Sequence, residues 1–142
     1  MYGFAIFAII AVVFLAVIYG IFGVRILAHK RREARADRLV QSGAHGEAAA
    51  LYAKGLKFNV GKSSGLRILE KTLDIYRRGG ASEAELTRIK EEYIKLGEET
   101  NQAIADVNKT KMKSDKKIKE LERVSVEAGQ KVEALLARLP KI

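Results

Sequence analysis

The sequence predicts an all-α protein built from a transmembrane helix, a short helical hairpin and a long coiled-coil-like helix. Three observations carry that expectation. The first twenty-four residues hold no charged side chain, and beyond them apolar residues recur at three- and four-residue spacing. A single proline with no tryptophan and no cysteine leaves little strand or turn chemistry. The chain divides accordingly into an anchor over 1–24, a basic juxtamembrane region with the hairpin over 25–80, and an amphipathic helix over 81–142. Apart from the anchor, its 142 residues suffice for one small domain. Without cysteine, neither a disulfide nor a thiolate metal site can form.

The anchor comes first. Fourteen of its twenty-four residues are Ile, Leu, Val or Phe. As a helix it spans ~36 Å, enough to cross a ~30 Å hydrocarbon core with some tilt. Those fourteen side chains favour insertion by roughly 4–8 kcal/mol as an upper bound. A cleavable signal peptide needs a positive leader and a shorter apolar run, and this segment has neither. Ala16 and Gly20 form a small-xxx-small pair that lets a second transmembrane helix approach closely.

Immediately beyond lie Arg25, Lys30, Arg31, Arg32, Arg35 and Arg38, opposed only by Glu33 and Asp37. Basic flanks stay cytoplasmic, so the N-terminus is expected outside and the C-terminal region in the cytoplasm. The same cluster can lie against anionic headgroups. The net charge of +9 is concentrated here: residues 25–80 hold thirteen Lys/Arg against five Asp/Glu, whereas 81–142 hold thirteen against twelve. Neither interleaved aromatics nor a known reading module accompanies the basic residues, which disfavours nucleic acid as a partner.

The hairpin follows. Ala34, Leu39 and Val40 carry a first helix out of the membrane to a break at Gln41-Ser42-Gly43, and a second helix covers Glu47 to Leu56, ending near Phe58-Asn59-Val60-Gly61. This pair resembles a tetratricopeptide repeat. Gly43 matches the glycine of the turn, Glu47-Ala48 the acidic-alanine pair, and Tyr52 the aromatic four residues later, with Lys54, Leu56 and Asn59 as the tail. Arg32 and Arg35 stand where the family has tryptophan and leucine, Leu39 replaces the tyrosine, and Val60 the closing proline. One period of about 34 residues on, Leu66, Leu69 and Leu73 fall where a second copy wants large apolar residues. The likeness covers about one and a half repeats, residues 32–80, against the three usually needed to bury a continuous core. It implies a unit that docks a protein through Leu39, Gly43, Ala48, Tyr52 and Leu56.

Gly79-Gly80 closes a helix over Leu66–Tyr76, and Ser82 with Glu85 has capping-box spacing that opens the last one. From there Leu86, Ile89, Tyr93, Leu96, Thr100, Ala103, Val107, Thr110 and Ser114 step by three and four. A four-residue shift brings in Ile118, then Leu121, Ser125, Ala128, Val132, Leu135 and Leu139. Unbroken, this seam would run ~85 Å. Its small and polar members suit a partner's face better than a self-sufficient coil, leaving homo-oligomerisation open. Gly97 and Gly129 read as bends, and the six lysines between Lys109 and Lys119 as a solvated face.

Catalytic chemistry is not in view. Gly61-Lys62-Ser63 follows Gly55 with five intervening residues where a phosphate loop has four, and no strand precedes it. His29 and His45 stand alone, and Glu91-Glu92 and Glu98-Glu99 are adjacent on a helix and point apart. The expectation is a non-enzymatic, cofactor-free scaffold or adaptor subunit anchored in a bacterial or organelle inner membrane. It would bind other protein subunits, one of them a membrane protein. An envelope-spanning rod of the phage-lysis kind and a membrane tether for nucleic acid are the alternatives.

Overall fold

A computed structural model describes residues 2–141. The described residues form five α-helices: α1 (Tyr2–Gln41), α2 (His45–Phe58), α3 (Ser63–Arg78), α4 (Glu83–Lys109) and α5 (Ser114–Ala137).

α1 runs forty residues without a break, ~60 Å at 1.5 Å per residue, because no proline or glycine turn interrupts it before Ser42-Gly43. It ends in a Schellman arrangement. Gly43 takes φ +86°, its N–H donates to Val40 O, and the Ala44 N–H donates to Leu39 O at 2.9 Å. α3 stops in the same way, with Gly80 at φ +93° and the Ala81 N–H on Tyr76 O. Ser82 caps α4, its Oγ accepting from the Glu85 N–H at 3.3 Å, as the spacing predicts.

Short loops make successive helices antiparallel, and long-range contacts fix that order. Phe58 meets His29 across α1 and α2, Ile68 meets Gly55 across α2 and α3, Lys90 pairs with Glu70 across α3 and α4, and Arg138 with Glu92 joins the end of α5 to α4. α2 therefore sits centrally, packed by α1, α3 and α5. Its Ala48, Ala49, Tyr52 and Leu56 share one core with Ala36 of α1, Ile68, Leu69 and Leu73 of α3, Leu86, Ile89, Tyr93 and Leu96 of α4, and Ala128 and Val132 of α5. Fully burying a leucine in such a core is worth about 1.5–3 kcal/mol.

Within α1, an 18-residue window of mean hydropathy 2.9 is wholly unburied, so α1 is long and apolar enough to cross a membrane. Only its distal part belongs to the bundle. The end of the bundle beside residues 26–33 is called the near end below, and the end holding the α1–α2 and α3–α4 turns the far end.

The single long C-terminal helix is replaced by a hairpin. Residues 110–113 leave the helical region, with Thr110 at ψ 150° and Lys113 at ψ 149°, and α5 folds back along α4 and onto α2. The break has a local cause: the Thr110 hydroxyl donates to Val107 O at 2.6 Å, competing with the helical hydrogen bonds. Fold-back also buries Val124, Ala128 and Val132, a gain that a straight rod forgoes. The seam changes with it. Leu86, Ile89, Tyr93, Leu96, Val132 and Leu139 are buried, Leu121 and Leu135 are half-buried, but Ile118 is 56% exposed and Val124 takes the inward place assigned to Ser125. Gly97 and Gly129 do not interrupt their helices. Gly97 instead permits close approach, since a Cβ there would lie 3.0 Å from Gly61 Cα.

Candidate functional site

The near end and the distal part of α1 gather most of the chain's polar organisation. Glu33 and Asp37 are one turn apart on α1, and Arg67 and Lys71 one turn apart on α3. Arg67 grips Glu33 with both ends of its fork, Nε to Oε1 at 3.0 Å and Nη2 to Oε2 at 2.8 Å. Lys71 bridges Glu33 at 2.8 Å and both oxygens of Asp37 at 3.1 Å, while the Tyr52 hydroxyl donates to Asp37 from α2. Three helices are thus pinned by one network.

The network sets the protonation of its members. The hydrogen bonds from Arg67 hold the Glu33 carboxyl below its usual range, with Lys71 adding to them against the opposing effect of burial. Burial works against the charge on Lys71, yet Glu33 and Asp37 outweigh it and keep its pKa raised. Burial first, and Asp37 second, push the Tyr52 phenol well up, so it donates a proton in its hydrogen bond and does not give it away.

A second anchoring point lies at the α2–α3 turn. Tyr93 of α4 reaches in to donate to Leu56 O at 3.0 Å, and burial pushes its phenol up to about 12. Gly65 makes room for it, because a Cβ there would fall 2.5 Å from the Tyr93 hydroxyl and 2.3 Å from Asn59 O. Asn101 donates to Gly61 O at 3.0 Å, Asn59 to Gly55 O at 2.7 Å, and Ser64 to Asn59 Oδ1 at 2.9 Å.

Two cavities flank Phe58, which is 62% exposed. One, of about 320 Å³, opens between residues 26–33 of α1 and the α2–α3 turn; Lys30, Arg32, Lys62 and Arg67 line it with Glu33 and Phe58. The Arg32 guanidinium stands 5.7 Å from the Phe58 ring centroid, a cation–π contact, and His29 stacks obliquely on the same ring at 6.0 Å. The other, about 670 Å³, is a largely apolar groove between α2, α4 and α5, lined by Phe58, Val60, Ile104 and Val126 among three lysines, Lys54, Lys57 and Lys62.

The residues singled out from sequence separate into three groups. Of the basic cluster, Arg25, Lys30, Arg31, Arg35 and Arg38 are exposed, and Arg32 alone is half-buried. Ala16 and Gly20 are exposed, and among the described residues nothing packs within 4 Å of a Cβ at Gly20. In the hairpin set, Ala48, Tyr52 and Leu56 are buried in the chain's own core, Leu39 is half-buried and Gly43 forms the turn. Leu86, Ile89, Tyr93, Leu96, Val132 and Leu139 of the α4–α5 seam are buried in the same way.

The sequence pointed to no joint role for Glu33, Asp37, Phe58 and Lys62, and did not single out Arg67 or Lys71 at all. A signal did exist: an acidic pair at i, i+4 and a basic pair at i, i+4 stand 34 residues apart, Glu33 to Arg67 and Asp37 to Lys71. Among the described residues no group of three or more His, Asp or Glu is placed to hold a metal ion. Compared with known proteins, the chain matches no family model, no curated protein and no solved structure.

Proposed function

We propose that the protein is a non-catalytic, membrane-anchored scaffold or adaptor subunit of a larger assembly, spanning the membrane once through α1. The observation that carries this reading is the division of α1. Among the described residues none buries its apolar part, and the same unbroken helix then becomes a wall of the bundle. A bilayer supplies the missing environment for the first part, and continuity holds the bundle at a fixed attitude to it.

The basic residues after position 24 favour a cytoplasmic bundle at a bacterial inner membrane, or the matrix side of an organelle inner membrane. The tetratricopeptide likeness belongs to the same reading: Glu33–Arg67 and Asp37–Lys71 join helices one repeat period apart, as stacked helix pairs would be. A second protein subunit is the expected occupant of the exposed surfaces, a membrane protein among them through the Ala16 and Gly20 side of α1. The envelope-spanning alternative loses its main support, because α5 doubles back and halves the reach of residues 81–142.

Co-purification of the full chain in mild detergent, followed by quantitative mass spectrometry, tests the reading. A stoichiometric protein partner is expected. Recovery of the chain alone, as a stable monomer at native expression level, would overturn it. A reporter fused after Ile142 tests topology separately, with activity expected on the cytoplasmic side.

A further inference from the structure

The 320 Å³ notch at the near end has the chemistry of a phosphate site. Three of the cations that line it, Lys30, Arg32 and Lys62, have no carboxylate partner among the described residues, whereas Arg67 is held by Glu33. Arg32 Nη1 is shielded from solvent and has no hydrogen-bond acceptor among the described residues. A charged donor without an acceptor is costly, and rotation of the Arg32 side chain toward the notch would bring that nitrogen to a phosphate oxygen. The cations come from two separate places, α1 and the α2–α3 turn, so the fold is what assembles them.

Position says which phosphate. Residues 26–33 begin two residues past the apolar run and so stand ~3–14 Å above its end along α1. The polar layer of a bilayer reaches ~5–8 Å beyond the hydrocarbon, which overlaps the lower part of that interval. Phe58 at the mouth is an exposed apolar ring beside these cations, a surface that the glycerol and upper acyl region of a lipid could cover.

We propose that this notch binds the phosphate headgroup of an anionic phospholipid, with Lys30, Arg32 and Lys62 as its cationic wall. The inference rests on the reading of α1 as a membrane anchor. It goes further in assigning a built site, with a residue from the α2–α3 turn, where a topology signal needs only the exposed residues of α1.

The test uses the full chain purified in neutral detergent with phosphatidylglycerol and phosphatidylcholine in equal amounts, bound lipid being counted by native mass spectrometry. Preferential retention of phosphatidylglycerol is expected. Lys62→Gln alone should weaken that preference about fivefold, and Lys30→Gln/Arg32→Gln/Lys62→Gln should abolish it. Arg31→Gln/Arg35→Gln/Arg38→Gln, which removes as much charge from exposed positions outside the notch, should leave it intact. Equal loss in both triple variants, or no loss in the Lys62 variant, would overturn the site. Displacement of the lipid by millimolar inorganic phosphate or by a short DNA duplex would also overturn the assignment to lipid. Extraction of cell membranes with alkaline carbonate keeps the two readings apart: release of the chain refutes the anchor, while retention without lipid preference refutes the notch.

Discussion

The two parts of α1 obey opposite rules within one helix. Along residues 2–28 no described side chain is buried, and only Ile26 at the upper end lines a cavity shared with the bundle. Along residues 29–41, Ala36 is fully buried, Leu39 and Val40 pack on the core, and Glu33 and Asp37 are tied to α3. An α-helix satisfies its backbone internally, so it can pass from one surrounding to another without a joint. What changes at the crossing is the source of stability. Below it, on the proposed reading, transfer of side chains into lipid suffices in any rotational setting; above it, packing demands particular residues at particular angles.

The sharpest way to expose that difference is the same truncation made on both sides. Leu56→Ala, at a fully buried position of α2, should destabilise the bundle by about 2–5 kcal/mol, read as a shift of the urea midpoint by circular dichroism in detergent. Leu15→Ala in the apolar stretch should leave that midpoint in place and change membrane insertion by less than about 1 kcal/mol. Equal effects would mean that the two regions do not differ as described.

Overpacking should act only on the bundle side. Gly65→Ala forces a methyl against Asn59 O and the Tyr93 hydroxyl, and a loss of about 1–3 kcal/mol in the same urea titration is expected. Gly20→Ala meets nothing and should leave unfolding unchanged. Tyr93→Phe removes only the hydrogen bond to Leu56 O and should lose about 1 kcal/mol.

The smallest effect concerns pH. Glu33, with its side chain only 14% exposed, has a lowered pKa in the fold. Its contribution is therefore complete above its unfolded value of 4.5 and fades as pH falls through the lower folded value. Lys71 has the opposite sign: its contribution is complete below 10.5 and fades as pH rises through its raised folded value. Urea midpoints should stay level near neutrality and drop in acid. Glu33→Gln should cost about 1–2 kcal/mol of stability at neutral pH, read as a lower urea midpoint, and flatten the acid limb. An unchanged acid limb would remove Glu33 from the account.

Much of the helical order was legible because it is written in short-range chemistry. Gly43, Gly80 and Ser82 end and begin helices through contacts within a few residues, and each stands where its spacing predicts. The α4–α5 turn was not legible, since neither glycine nor proline marks 110–113 and the three-four stepping continues across it through Thr110 and Ser114 to Ile118. Thr110 and the burial of Val124 against the rest of the fold decide it instead, one too subtle and the other too distant for pattern reading. Lys30 and Arg32 stood out in the basic cluster, but the roles of Lys62 in the notch and of Arg67 and Lys71 in the polar network were not legible, for a related reason. Lys62 and Arg67 join Arg32 and Glu33 only after α2 has brought the chain back beside α1.

The absence of a joint in α1 also fixes a phase between the two halves. Each residue turns a helix by ~100° and lifts it by 1.5 Å, so one residue added between positions 24 and 29 would swing the azimuth of Ala16 and Gly20 relative to Phe58 by nearly a third of a revolution. Both halves would keep their own contacts. A neighbour gripping the bundle and the apolar half of α1 at once would then find its two handholds facing different ways.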